Sequence, residues 1–189
     1  MTTEIGALLA AAAERTVPIV RGIRDEQLGE PTPCTEFRVR DLLNHLFQVV
    51  VSMQAAARRE QLDFSTTPDF LTEGWRDRFA AETGNLVAAW SDPVALEGVS
   101  PGMGLPQSLV GHLALADLTI HGWDLATATG RPYAPDDGAV EALLPFMEQM
   151  APTGRKMGAF RDEVVEAPAG AADFERLLAF SGRTAQGSI

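Results

Sequence analysis

LALADLTIHGWDLATATG, residues 113–130, is the stretch from which the architecture can be read. Its apolar residues recur at helical spacing, Gly130 stands where a helix ends, and Pro132 lies just beyond. A glycine cap followed by a proline that cannot continue the helix predicts one running from about Pro106 to Thr129. Two residues inside it do not suit a buried helix. Asp117 and His121 are four apart, so they sit on the same face, offset by about 40°. They share the line Leu113, Asp117, His121, Leu125, which is the inward line. An ionised carboxylate on a core stripe is costly unless it is paired or binds a metal. The pair therefore reads as a buried ion pair or as part of a metal site.

Working toward the N-terminus, RVRDLLNHLFQVV (38–50) opens a second helix expected to run to about Glu60. Leu42, Leu46, Val49, Val50 and Met53 form its apolar stripe, and His45 lies on that stripe. A lone inward histidine is most simply a core residue bonded to a neighbour. With Asp117 and His121 on another helix, it completes a two-histidine, one-carboxylate set. That set leaves coordination positions open, as catalytic zinc and some iron sites do. A metal-free polar cluster remains the alternative. Asp124 falls about 20° off the same line. It is read as an acceptor orienting a histidine from behind or as an arginine's partner, and less readily as a further ligand. His112 is half a turn from His121 and is read as structural. Gly122 either permits a close helix approach or is simply tolerated.

The rest of the chain frames this pair of helices. A first helix is expected over Thr3–Ile23, with a kink or break near Val17 because of Pro18. A third is expected to start at Thr67 as N-cap with Pro68 as its first residue, burying Leu71, Trp75, Phe79, Leu86 and Trp90. Residues 91–105 are turn-rich. Beyond residue 130 shorter helices are expected over Asp137–Met150 and Ala171–Phe180, with EVVEA (163–167) extended. The whole reads as one all-α unit: a four-helix-bundle core over residues 1–130 and a short, partly irregular C-terminal extension over 131–189, to which no role is assigned.

Composition narrows the function classes. A formal net charge of −11 with no basic stripe disfavours nucleic acid. No run approaches the roughly 20 apolar residues needed to span a bilayer. Glu4 precedes the apolar start and no positive segment leads it, so that start reads as a helix and a cytoplasmic location is expected. One cysteine excludes an internal disulfide and a cysteine-pair metal site. Cys34 is read as a small residue packed at a loop–helix junction, Trp75, Trp90 and Trp123 as core, and Arg76 and Arg78 as solvated or as anion-binding. No glycine-rich phosphate loop or nucleophile elbow is present.

Three segments carry a resemblance. PTPCTEFRVRDLLNHL (31–46), ADLTIHGWDLATATGRP (116–132) and RLLAFSGR (176–183) are similar to motifs of the mycothiol-dependent maleylpyruvate isomerase-like proteins, within the DinB-like four-helix bundle superfamily. The resemblance implies a DinB-like bundle in which His45, Asp117 and His121 bind a divalent metal, zinc first, with nickel or iron as alternatives. It also implies a small-molecule thiol, mycothiol or one like it, activated as a thiolate toward an electrophilic substrate in a transferase or isomerase reaction. Asp117 stands where the isomerase has Glu, and Phe37 where many members have Trp. Three other readings stay open: a non-catalytic metal- or small-ligand-binding bundle, with a stress-related role as one option; a hydrolase using a zinc-bound water; and a homo-oligomer of any of these.

Overall fold

In the computed structural model, residues 2–35, 37–62, 65–156 and 165–184 are described. Six α-helices are present among them: α1 (Glu4–Gly22), α2 (Val39–Ala57), α3 (Trp75–Ser91), α4 (Gln107–Ala128), α5 (Asp137–Lys156) and α6 (Asp173–Phe180). Two short 3-10 turns, Asp25–Gln27 and Pro93–Leu96, lie in the connections. Each of α1 and α2 packs on both α3 and α4, so the four form a ring in the order α1, α3, α2, α4. The fold is an all-α bundle, as the apolar periodicities require. No helix among the described residues is long and apolar enough to cross a membrane.

Local chemistry explains most of the helix boundaries. Thr3 caps α1, its hydroxyl oxygen accepting from the Gly6 N–H at 2.9 Å. Of the kink or break expected near Val17, the break does not occur: α1 runs through Pro18. Pro18 and Glu14 are both exposed, so the carbonyl that loses its partner lies toward water. Arg38 stands at the cap of α2, and the start is secured from within: the Arg38 N–H donates to Asp41 Oδ2 at 3.1 Å.

The third helix begins later than its sequence suggests. Thr67 and Pro68 do not open it; Gly74 does, in the left-handed region at φ 73°. The intervening residues bond to α2 instead. The Thr67 hydroxyl donates to Gln48 Oε1 at 2.8 Å, and the Phe70 N–H donates to Asn44 Oδ1 at 2.7 Å. Phe70 also stacks on Phe47 with centroids 4.7 Å apart. A helix from residue 68 would forfeit all three.

α4 is the central element. It packs against α1, α2 and α5, and buried residues surround its second half almost completely. Gly122 is a point of close approach for α1. A Cβ there would lie 2.4 Å from Thr16 Oγ1 and 2.9 Å from the Tyr133 hydroxyl oxygen. Its lack of a side chain lets Thr16 donate to the Leu118 carbonyl at 2.9 Å and Tyr133 to the Thr119 carbonyl at 3.0 Å. Burial pushes the Tyr133 hydroxyl up to about 12.

The C-terminal part is more regular than expected. α5 continues through Pro145 and Pro152 to Lys156, and α6 packs on it. Residues 163 and 164 of the EVVEA segment lie outside the described residues, and 165–168 carry no regular structure.

Candidate metal centre

α2 and α4 are neighbours in the ring, and their facing sides bring together the three residues singled out by spacing. One potential ligand atom from each of His45, Asp117 and His121 lies within 4.8 Å of the other two. His121 Nε2 and Asp117 Oδ1 are 3.4 Å apart. That is long for a charge-assisted hydrogen bond. It matches the span of about 3.4 Å between two ligands held at 2.0–2.1 Å in a tetrahedral shell. The His45 and His121 rings meet edge to face, with centroids 5.1 Å apart. The Asp117 side chain keeps 29% of its surface exposed, which leaves the cluster an approach from solvent.

Behind His121 stands a buried polar chain. His121 Nδ1 is 2.9 Å from Asp124 Oδ2. Asp124 is completely buried and is gripped by Arg183: Nε donates to Oδ1 at 2.9 Å, and an Nη donates to Oδ2 at 2.7 Å. Arg183 also donates to the Ser181 carbonyl at 3.1 Å. With Nδ1 committed to a carboxylate, Nε2 is the nitrogen presented toward Asp117 and His45. This is the usual way a protein fixes the tautomer and plane of a ligating histidine.

The electrostatics follow from burial and these partners. Burial pushes the His45 imidazole below its ordinary value; Asp117 opposes this and His121 reinforces it. His45 therefore offers a free lone pair near neutral pH. Burial alone would lower His121 too, but its bonds to Asp117 and Asp124 outweigh that and raise it. For Asp117 and Asp124, burial would raise the carboxyls. The bond with His121 lowers both, and Arg183 adds a strong pull on Asp124, so both end below the ordinary carboxylate value. Arg183 loses ground to burial and regains more from Asp124, with smaller contributions from Cys34 and Asp117.

Arg183 is the residue of this assembly that spacing arguments overlook. It closes RLLAFSGR, a segment carrying no charge pattern of its own, far from α4 in sequence. The available signal was Asp124: a carboxylate on a buried helix needs a counter-charge. Cys34, half-buried before α2, lies within electrostatic reach of Arg183. Of the other residues considered, His112 stacks on Phe146 and places Nδ1 2.7 Å from the Ser108 carbonyl, outside the cluster. Arg76 binds the Ile23 carbonyl and Asp25, and Arg78 binds the Phe70 carbonyl and Thr72. Both serve to tie loops together. Trp75, Trp90 and Trp123 are buried.

Residues 9–126 match the family described as mycothiol maleylpyruvate isomerase N-terminal domain. That span contains His45, Asp117, His121 and Asp124 but stops short of Arg183. Two uncharacterized proteins, one from each of two strains of Mycobacterium tuberculosis, are each 31% identical to the chain over 183 residues. The alignments cover 92% of this chain and 94% of each relative. No solved structure matches the chain.

Proposed function

Because the chain belongs to the mycothiol maleylpyruvate isomerase N-terminal domain family, we propose that His45, Asp117 and His121 hold a divalent metal, zinc first, and that the site uses a small-molecule thiol. The observation that carries this reading is the convergence of the three side chains, from two helices, with ligand atoms within 4.8 Å. The residues fit such an ion. They offer two imidazole nitrogens and one carboxylate, a borderline-soft set suited to zinc, with nickel or iron as second choices. They satisfy one another only in part: the Asp117–His121 contact is stretched to 3.4 Å. Among the described residues, no hydrogen bond reaches the His45 ring.

Bound there, the ion would supply a positive charge that keeps a thiol deprotonated at neutral pH. The chain's own groups do the rest. Asp124 and Arg183 hold the His121 ring so that Nε2 faces the cluster. Phe37, stacked on His45 with centroids 5.5 Å apart, closes one side with an apolar face. The exposed edge of Asp117 marks the way in for a thiol of the mycothiol class and for the electrophile it attacks, in a transferase or isomerase reaction. A cytoplasmic location suits such a thiol. The second reading, a metal-binding bundle without turnover, keeps the same three ligands.

Elemental analysis of the purified protein beside a His45→Ala, His121→Ala double variant tests the metal. The expected result is near-stoichiometric metal in the first and a trace in the second; equal traces in both would refute the site. Titration of the metal-loaded protein with millimolar mycothiol tests the thiol. Binding without turnover over a panel of electrophiles would favour the second reading.

A further inference from the structure

His121 and His45 are held in different ways. His121 has a carboxylate on its far nitrogen. Among the described residues no hydrogen bond reaches the His45 ring, which meets the His121 ring at 89° and stacks on the face of Phe37 at 17°. The backbone before α2 is arranged around that Phe37 face. The Phe37 N–H donates to the Cys34 carbonyl at 2.8 Å, closing a tight turn. The buried Thr32 hydroxyl sits 2.8 Å from the Cys34 carbonyl and 2.7 Å from the Phe37 carbonyl, bracing the turn from inside. Below it, Pro31 pairs with Arg38, the Val39 N–H donates to the Glu30 carbonyl, and the Arg40 N–H donates to the Leu28 carbonyl. This hook is tied by main-chain hydrogen bonds, and its Phe37 ring stacks on a histidine whose ring has no hydrogen-bond partner among the described residues.

We propose that Phe37 is a positioning residue for His45, holding the imidazole plane so that a ring nitrogen points into the cluster. The inference rests on the metal reading above and adds how the α2 ligand is oriented. A metal-bound imidazole must keep the ion in its ring plane, and a ring free to turn about its terminal torsion loses binding through that freedom. Stacking restrains the plane without selecting a tautomer, so His45 stays able to present either nitrogen.

The test combines one metal-independent and one metal-dependent measurement on the full chain. In the metal-free protein, the His45 ring protons should carry a ring-current shift that Phe37→Leu removes and Phe37→Trp keeps. With cobalt(II) as the probe, Phe37→Leu should weaken binding by about two- to tenfold, the worth of an aromatic pair, and broaden the visible absorption bands. Phe37→Trp should restore both. In a His45→Ala background, Phe37→Leu should have no further effect on the residual cobalt affinity. Equal cobalt affinity in wild type, Phe37→Leu and Phe37→Trp overturns the proposal while leaving the metal site standing. So does an equal loss with and without His45, which would mark a purely structural role. Wild type that binds no cobalt overturns the metal reading and this proposal together, whatever the ring-current shift.

Discussion

The two sides of the cluster differ in what holds them. On the α4 side, His121 is backed by a carboxylate with no exposure, itself clamped by an arginine from the C-terminal segment. On the α2 side, His45 rests between two rings. One histidine is held by directional bonds in a low-dielectric interior, the other by one stacked and one edge-to-face ring contact. The α4 side should therefore carry stability as well as ligation, and the α2 side ligation alone.

The largest test removes the clamp. Arg183→Ala leaves Asp124 buried with only His121 for a partner and should destabilise the protein by about 3–5 kcal/mol, the cost of orphaning one member of a buried ion pair. Replacing both charges, as Asp124→Leu with Arg183→Met, should return much of that stability but not the metal affinity. Chemical denaturation and a metal titration on the same variants separate the two effects. A clamp worth nothing to folding would erase the contrast.

A smaller effect compares the two histidines in metal-free protein. His121→Ala deprives Asp117 and Asp124 of a bonded partner and should cost about 1–3 kcal/mol. His45→Ala breaks no side-chain hydrogen bond and should cost less, about 0.5–1.5 kcal/mol, the worth of an aromatic ring contact. Both should nonetheless reduce metal affinity by roughly 100-fold, a ligand's share of a structural site's binding energy. Equal losses of stability would show that the two sides are held alike.

The smallest effect is the pH dependence. The His121 imidazole is raised in the folded state, so its contribution is complete below about 6.5 and is lost as pH rises through the raised value. Asp124 is lowered, so its contribution is present above about 3.9 and is lost as pH falls through the lowered value. These two groups should thus favour chelated protein most between about pH 4 and 6.5, with a melting temperature that declines above that window, while the lowered His45 works against folding below about 6.5. Metal affinity should run the other way, rising with pH as the His121 proton ceases to compete. His45, already lowered, should add little to either trend above neutrality.

Much of this was legible from residue order because helices are local. The i, i+4 spacing of Asp117 and His121 puts them on one face whatever surrounds them, and the stripe Leu42, Leu46, Val49, Val50 carries His45 inward with it. The core residues of α3 were equally plain, since Trp75, Phe79, Leu86 and Trp90 are buried as their spacing implies. The start of that helix was not. Thr67–Pro68 is a sound local start signal, overridden by Gln48 and Asn44, which offer the same segment better bonds from α2. Pro18 does not end α1 for a related reason: a proline on the wet face of an otherwise anchored helix removes one bond without stopping it.

Residue order by itself determined the bundle and the three side chains that could meet, because hydrophobic period and face are properties of neighbours three and four apart. Tertiary structure alone decided that the faces of α2 and α4 do meet, with the His45 and His121 ring centroids 5.1 Å apart. It also decided that Asp124 answers to Arg183, a partner 59 residues away, and that Phe37 lies on His45. Those choices depend on which surfaces pack together and on which buried charge finds a counter-charge. Both are settled by burial across the whole chain and by no local pattern.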